Sequence, residues 1–201
     1  MKNLLLTAIA LFAAVSISSG QNVSKIEQAP AWTWFGIDYT QCYFLTPMDF
    51  PSVSDLEEKI GAWNDLILLE RDKFIEKTIM TKKRKIKYYV DMVKERNEEI
   101  DVKSRLTEDG FKSSHLEPEM IQGIVDSYFI EDDMKGIGLV FIAESYSKPN
   151  VAGAYYVTFF DMETRQVIFT ERMLGKPSGF GLRNYWAGSY YKVLKDVGKK
   201  F

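Results

Sequence analysis

The 201-residue chain carries 26 Lys and Arg against 28 Asp and Glu, a formal charge of −2, so no global positive field favours nucleic acid. With 46% hydrophobic and 14% aromatic residues, its composition is that of an ordinary globular domain with an ample core. Cys42 is the only cysteine, which excludes an intrachain disulfide and leaves stability to packing.

Lys2 supplies a positive start, Leu4 to Val15 form an apolar run, and Ser18 and Gly20 place small side chains ahead of Gln21. This is the anatomy of a secretory signal peptide, with an apolar run too short to span a bilayer. The expectation is a signal peptide over residues 1–20, cleaved near Gly20, followed by a single domain over 21–201. No cysteine follows the run, which argues against a lipid anchor, and no other membrane span is expected. The address is the periplasm or the exterior.

Trp32 to Leu45 is dense in aromatic and β-branched residues and reads as a strand bounded by Pro47 and Pro51. Ser54 and Glu57 have capping-box spacing, and Leu56, Ile60, Trp63, Ile67 and Phe74 follow at helical intervals, predicting a helix over about residues 54–77. Ile86, Tyr88, Val90 and Met92 alternate as in a strand, while Ile86, Val90, Val93 and Ile100 suit a helix. Tyr88-Tyr89-Val90 favours a strand at about 85–93. The polar stretch from Asn97 to Ser114 has no periodicity and is expected to be a mobile loop.

Pro118 opens a helix whose stripe is Ile121, Ile124, Val125 and Tyr128. From Ile137 the period becomes two, and residues 137–144, 151–162 and 166–174 predict three strands joined by short turns. Leu182, Trp186, Tyr190, Val193 and Val197 define a C-terminal amphipathic helix with lysines in its last turn. The order β-α-β-α-β-β-β-α implies an α+β domain, with a mixed sheet of about five strands and helices mainly on one face.

Gly175 to Trp186, "GKPSGFGLRNYW", crowds three glycines with Lys176, Ser178 and Arg183 between a strand and a helix. A phosphate loop would converge backbone amides on an anion there. However, the stretch fits neither nucleotide-binding glycine pattern, and Pro177 removes one donor. It reads as a tight strand-to-helix turn with Ser178 as its cap. Lys176, Ser178, Gly179, Gly181 and Arg183 remain candidate ligand residues.

Asp38 joins these candidates because it sits in an otherwise apolar strand and needs a donor, with Arg172 or Arg183 the expected partner. Glu144 and Glu171 are expected to pair with basic residues across strands. His115 is the lone histidine and reads as a solvated loop residue. Without a second histidine or cysteine, neither a transition-metal site nor a histidine-based triad is expected, and no cofactor is implied. Trp32, Trp34, Phe35, Tyr39, Tyr43 and Phe44 exceed what one strand face usually buries, and Trp32, Trp34, Phe35 and Tyr39 are the candidate surface residues among them. They form either an exposed interaction patch or a central strand buried on both sides.

"GIDYT", "WNDLILLERDKF", "GIGLVFIAES", "YYVTFFDMETRQV" and "GFGLRNYWAGSYYKVLK" together resemble a family of uncharacterised exported proteins of Gram-negative bacteria. The resemblance runs along most of the chain after residue 20 and implies export, but no activity. The order of elements is also similar to small α/β envelope domains such as the N-terminal domain of TolB, and fold alone does not imply function. The expected role is a non-catalytic binding or assembly module that accepts an envelope protein or its own copy through a sheet edge or aromatic patch. The alternative is a small anionic-ligand binder or hydrolase using the Gly175–Arg183 loop with Asp38 or Glu171.

Overall fold

The computed structural model describes residues 19–81 and 83–201; most of the expected signal peptide lies outside them. Helix α1 (Ser19–Gln28) leads into β1 (Ala31–Asp38), which is followed closely by the short β2 (Tyr43–Leu45). Both run parallel to β5 (Ile137–Ser147), β1 along its first half and β2 along its second. The aromatic run read as one strand is therefore two collinear pieces, separated by a turn closed by Cys42 N–H on the Tyr39 carbonyl, 2.8 Å. Opposite the gap, β5 has a bulge at Glu144.

Helix α2 (Val53–Leu69) continues into a π-turn over Asp72–Glu76, and β3 (Lys85–Tyr88) then pairs in parallel with β1. The helix starts one residue before the expected box. Ser52, not Ser54, is the cap, accepting from Asp55 N–H at 3.3 Å. The ambiguous segment resolves into both of its readings, strand β3 and then helix α3 (Asp91–Glu98). The stretch expected to be a mobile loop contains α4 (Val102–Arg105), a two-residue β4 (Leu106–Thr107) paired with β2, and a 3-10 turn over Gly110–Ser113. Such elements are too short to show a period.

After α5 (Pro118–Asp126) come β5, β6 (Ala152–Asp161) and β7 (Val167–Gly175), an antiparallel meander, and then α6 (Gly181–Lys200). The main sheet order is β3-β1-β5-β6-β7, with β2 and β4 extending its upper tier. The fold is mixed α/β, and helices cover both faces rather than mainly one. Trp32, Trp34, Leu139, Phe141, Val157 and Phe159 pack under α2 and α6, whereas Phe35, Val140, Ile142, Tyr156 and Phe160 pack under α5 and Met92 and Val93 of α3. A sheet buried on both faces has to be apolar on both faces, as β5 and β6 are.

The switch of faces within β1 occurs at Gly36, whose φ of +98° permits the bulge that puts Trp34 and Ile37 on one side. Beyond the end of β3, the outward backbone groups of β1 have no neighbouring strand among the described residues. Two buried asparagines serve instead. Asn64 of α2 accepts from Ile37 N–H (2.8 Å) and donates to its carbonyl (3.0 Å). Asn97 of α3 donates to the same carbonyl (2.9 Å) and accepts from Tyr39 N–H (2.8 Å). Buried backbone groups require such partners, and here side chains replace a strand.

Helix α6 lies close against the meander because glycines line the contact. A Cβ on Gly175 would stand 2.0 Å from the Ser189 carbonyl oxygen, and one on Gly188 would stand 2.4 Å from Ser178. Trp186 is fully buried and stacks on Tyr146 at 4.3 Å between centroids and on Phe50 at 5.8 Å. Behind that stack, the Tyr146 hydroxyl bonds those of Tyr39 and Tyr155 at 2.9 Å each, and Tyr155 also meets Ser189. Burial pushes these phenols well above their ordinary range, so they serve as neutral core hydrogen-bonding groups.

Candidate functional site

Asp38 is fully buried at the carboxyl end of β1. One carboxylate oxygen accepts from the Thr40 amide (2.8 Å) and hydroxyl (2.6 Å), and the other accepts from Tyr128 OH (2.9 Å). Its cation is Arg96 of α3, with Nε at 3.6 Å, and not Arg172 or Arg183 as expected. Tyr128 belongs to the cluster under α5, whereas the Arg183 carbonyl accepts from Trp63 Nε1 in the cluster under α2 and α6. Asp38 and the Gly175–Arg183 loop thus attach to opposite faces of the sheet.

The loop turns on positive-φ glycines at 179 and 181. Ser178 does not cap α6: its N–H donates to the Tyr185 carbonyl at 3.0 Å, and the N-cap position of α6 is Phe180, with no side-chain cap. Lys176, Ser178 and Arg183 are exposed. A hollow of about 390 Å³ beside the loop is lined by Ser178, Gly179 and Asn184, with Lys73 as its cation; neither Lys176, Arg183 nor any carboxylate lines it. Glu171 pairs with Lys200 of α6.

Glu144 is the other fully buried carboxylate. From the β5 bulge it accepts from the backbone amides of His115 and Leu116 (2.9 Å each) and from Arg172 Nε (2.6 Å). Arg172 also donates to the Ser113 carbonyl at 2.8 Å. These bonds hold the segment before α5 against the sheet, so Glu144 is occupied by structure. His115, expected to be solvated, is half-buried, with Tyr43 edge-on at 4.9 Å. Its Nδ1 lies 3.0 Å from the Lys112 carbonyl, and Nε2 is buried without a partner.

Burial lowers the His115 pKa, helped by Lys112 and Arg105 and opposed by the Lys112 carbonyl and Glu144. The unfolded chain therefore takes up a proton at a higher pH than the folded chain. The stability contribution is complete above the unfolded histidine value of about 6.5 and is lost as pH falls through the lower folded value. Urea titrations at pH 7.5 and 5.5 should show wild type losing more stability than His115→Gln on acidification. Equal losses would mean that the ring is solvated.

Trp32, Trp34, Phe35 and Tyr39 are all buried at 0–1% exposure, so the aromatic patch is core and not surface. Apolar surface lies elsewhere. The register places Thr107, Leu45, Ser147 and Ala152 in one row across the sheet, with Gly153 and Gly175 adjoining it. Four segments leave the sheet along this row, and each exposes a large apolar side chain. Met48 is 94% exposed, Phe111 89% and Phe180 95%, while Val151 and Leu174 are about half exposed at 44% and 56%.

Lys148 of the β5–β6 turn reaches Asp49 at 3.9 Å, and it shares with Phe180, Leu182 and Tyr185 a cleft of about 380 Å³. The rim formed by these loops carries five of the nine exposed large apolar side chains among the described residues. Met48, Phe111 and Phe180 were missed because they sit in turn sequences, where periodicity is silent, and Val151 and Leu174 because they fall within period-two runs read as strands. The available signal was a bulky apolar residue among turn formers, as in "TPMDFP", "EDGFKS" and "PSGFG".

Among the described residues no helix is long and apolar enough to cross a membrane. No protein-family model matches the chain, and no curated protein matches its sequence.

Proposed function

We propose that this protein is an exported, non-catalytic binding or assembly module of the bacterial envelope whose working surface is the rim of Met48, Phe111, Val151, Leu174 and Phe180. The observation that carries the reading is that separate loops at one end of the sheet all expose large apolar side chains. Solvent contact with such groups is unfavourable by about 25 cal/mol per Å² relative to burial, so their concentration at one end fits a partner. The two outer strands of the main sheet fit β-addition less well. β3 is four residues long with two lysines, and β7 carries Glu171 and Arg172 in its middle.

The leader-like N-terminus and the resemblance to exported proteins supply the compartment in this reading. The partner is an envelope protein or a second copy of the chain. The competing reading, an anionic-ligand binder or hydrolase working through Gly175–Arg183, has weaker support. The hollow at the loop lacks both Lys176 and Arg183, and the buried carboxylates Asp38 and Glu144 are engaged elsewhere.

The test is the triple variant Met48→Ser, Phe111→Ser, Phe180→Ser. Its fold should be intact, because exposed substitutions usually change stability by about 0.5 kcal/mol or less each. Sedimentation velocity and cross-linking in envelope extracts should show a dimer or heterocomplex for wild type that the variant loses. A complex that survives all three substitutions, or wild type that remains alone in both measurements, overturns the proposal.

A further inference from the structure

We propose that a second site, formed by Arg96 and Arg105 beside the carboxyl end of β1, binds a small oxyanion, a carboxylate or a phosphate group. After β2, which continues the line of β1 along β5, the chain passes out to β3 on one side of β1 and later returns to β5 on the other, so the connections part at β1. In open α/β sheets, ligands bind outside the carboxyl ends of strands at such points. There, past Asp38, a hollow of about 290 Å³ is lined by Thr40, Gln41, Arg96, Ser104 and Arg105, with Glu99 and Asp101 at the same hollow.

Aromatic faces hold both guanidinium groups. Arg96 lies over Tyr128, its central carbon 5.0 Å from the ring centroid, and Arg105 lies over Tyr43 at 5.1 Å. Stacking engages the flat face of a guanidinium and leaves its N–H edge available for bidentate recognition of an oxyanion. Neither guanidinium donates a hydrogen bond among the described residues, although Arg96 is the counter-charge of Asp38. Arg96 Nε is buried with no hydrogen-bond partner among the described residues; its ion-pair partner Asp38 stands at 3.6 Å, beyond hydrogen-bond distance, and takes its hydrogen bonds from Thr40 and Tyr128. Arg105 is absent from the arginine ion pairs of the described residues, which are Arg96–Asp38 and Arg172–Glu144.

The acidic neighbours do not fill the role of the ligand. Asp101 is turned to its own chain, its carboxylate accepting from Ser104 N–H and its carbonyl from the Ser104 hydroxyl, and Glu99 is exposed. Thr40, Gln41 and Ser104 supply polar groups for the remainder of a molecule small enough for the hollow. This site shares no residue with the apolar rim, nor with the Gly175–Arg183 loop.

The experiment is a thermal-shift and calorimetric titration of the purified protein with inorganic phosphate and, separately, with citrate, each against sodium chloride at matched ionic strength. A saturable rise in melting temperature with either anion is expected, and the anion that produces it distinguishes phosphate from carboxylate recognition. Arg105→Gln should weaken the response by about tenfold or more, the loss expected for one charge-assisted hydrogen bond. That variant leaves the Asp38 environment intact, whereas Arg96→Gln would disturb it. The double variant Lys176→Ala, Arg183→Ala should titrate like wild type. No saturable response to either anion, an undiminished response in Arg105→Gln, or its loss in the loop variant each overturns the proposal.

Discussion

Replacing Glu144 by alanine is expected to lower stability by about 3–5 kcal/mol, the range for removing one member of a buried ion pair. The loss has two parts. The amides of His115 and Leu116 each lose a charged acceptor at 2.9 Å, and a buried donor left unpaired costs about 1–3 kcal/mol. Arg172 loses its 2.6 Å partner, but its side chain is 30% exposed and recovers water, which favours the lower half of the range.

For a chain of this size each kcal/mol shifts the melting temperature by about 2–4 °C, so a fall of about 10 °C is expected. Glu171→Ala is the control. Glu171 pairs with Lys200 at the surface, where such pairs contribute about 0–1 kcal/mol. If urea unfolding gave both variants the same stability, Glu144 would not fasten the segment before α5 to the sheet.

Gly175→Ala carries the second large effect. The added Cβ would lie 2.0 Å from the Ser189 carbonyl oxygen and 2.6 Å from its carbon, both backbone atoms of α6. No rotamer relieves a backbone collision, so helix and strand must separate, at a cost of about 3 kcal/mol, the upper end for overpacking. Gly181→Ala is the matched comparison. Nothing lies within 4 Å of its Cβ position, and its cost is the strain of a φ of +76°, about 1–2 kcal/mol. Thermal unfolding should rank Gly175→Ala well below Gly181→Ala. The reverse order would mean that the glycines of "GKPSGFG" serve the loop's dihedrals alone and not the docking of α6.

Local pattern was sufficient wherever an element is long and one spacing dominates. The stripe from Leu56 to Phe74 announced α2, the stripe from Leu182 to Val197 announced α6, and the period-two runs announced β5, β6 and β7. Those signals arise within a single segment, from side chains three, four or two positions apart. The same local chemistry identified the Gly175–Arg183 stretch as a strand-to-helix turn, whereas the place of the single thiol came from the structure. Cys42 is buried, and desolvation raises its pKa well above the ordinary thiol range.

Only the tertiary structure decided which surfaces face water and which charges meet. Four loops far apart in sequence reach one end of the sheet because β4, β2, β5 and β6 share a row that the end of β7 adjoins, and no window of the chain contains that row. Asp38 finds Tyr128 and Arg96 instead of Arg172, which goes to Glu144, because the bulges at Gly36 and Glu144 set which residues face α3 and α5. Helices on both faces made a core residue of every aromatic on β1, and periodicity within β1 cannot report what packs above or below it. The asparagines that replace a missing edge strand were invisible for the same reason. Their partners, Ile37 and Tyr39, are brought to them by the sheet and not by the spacing of the chain.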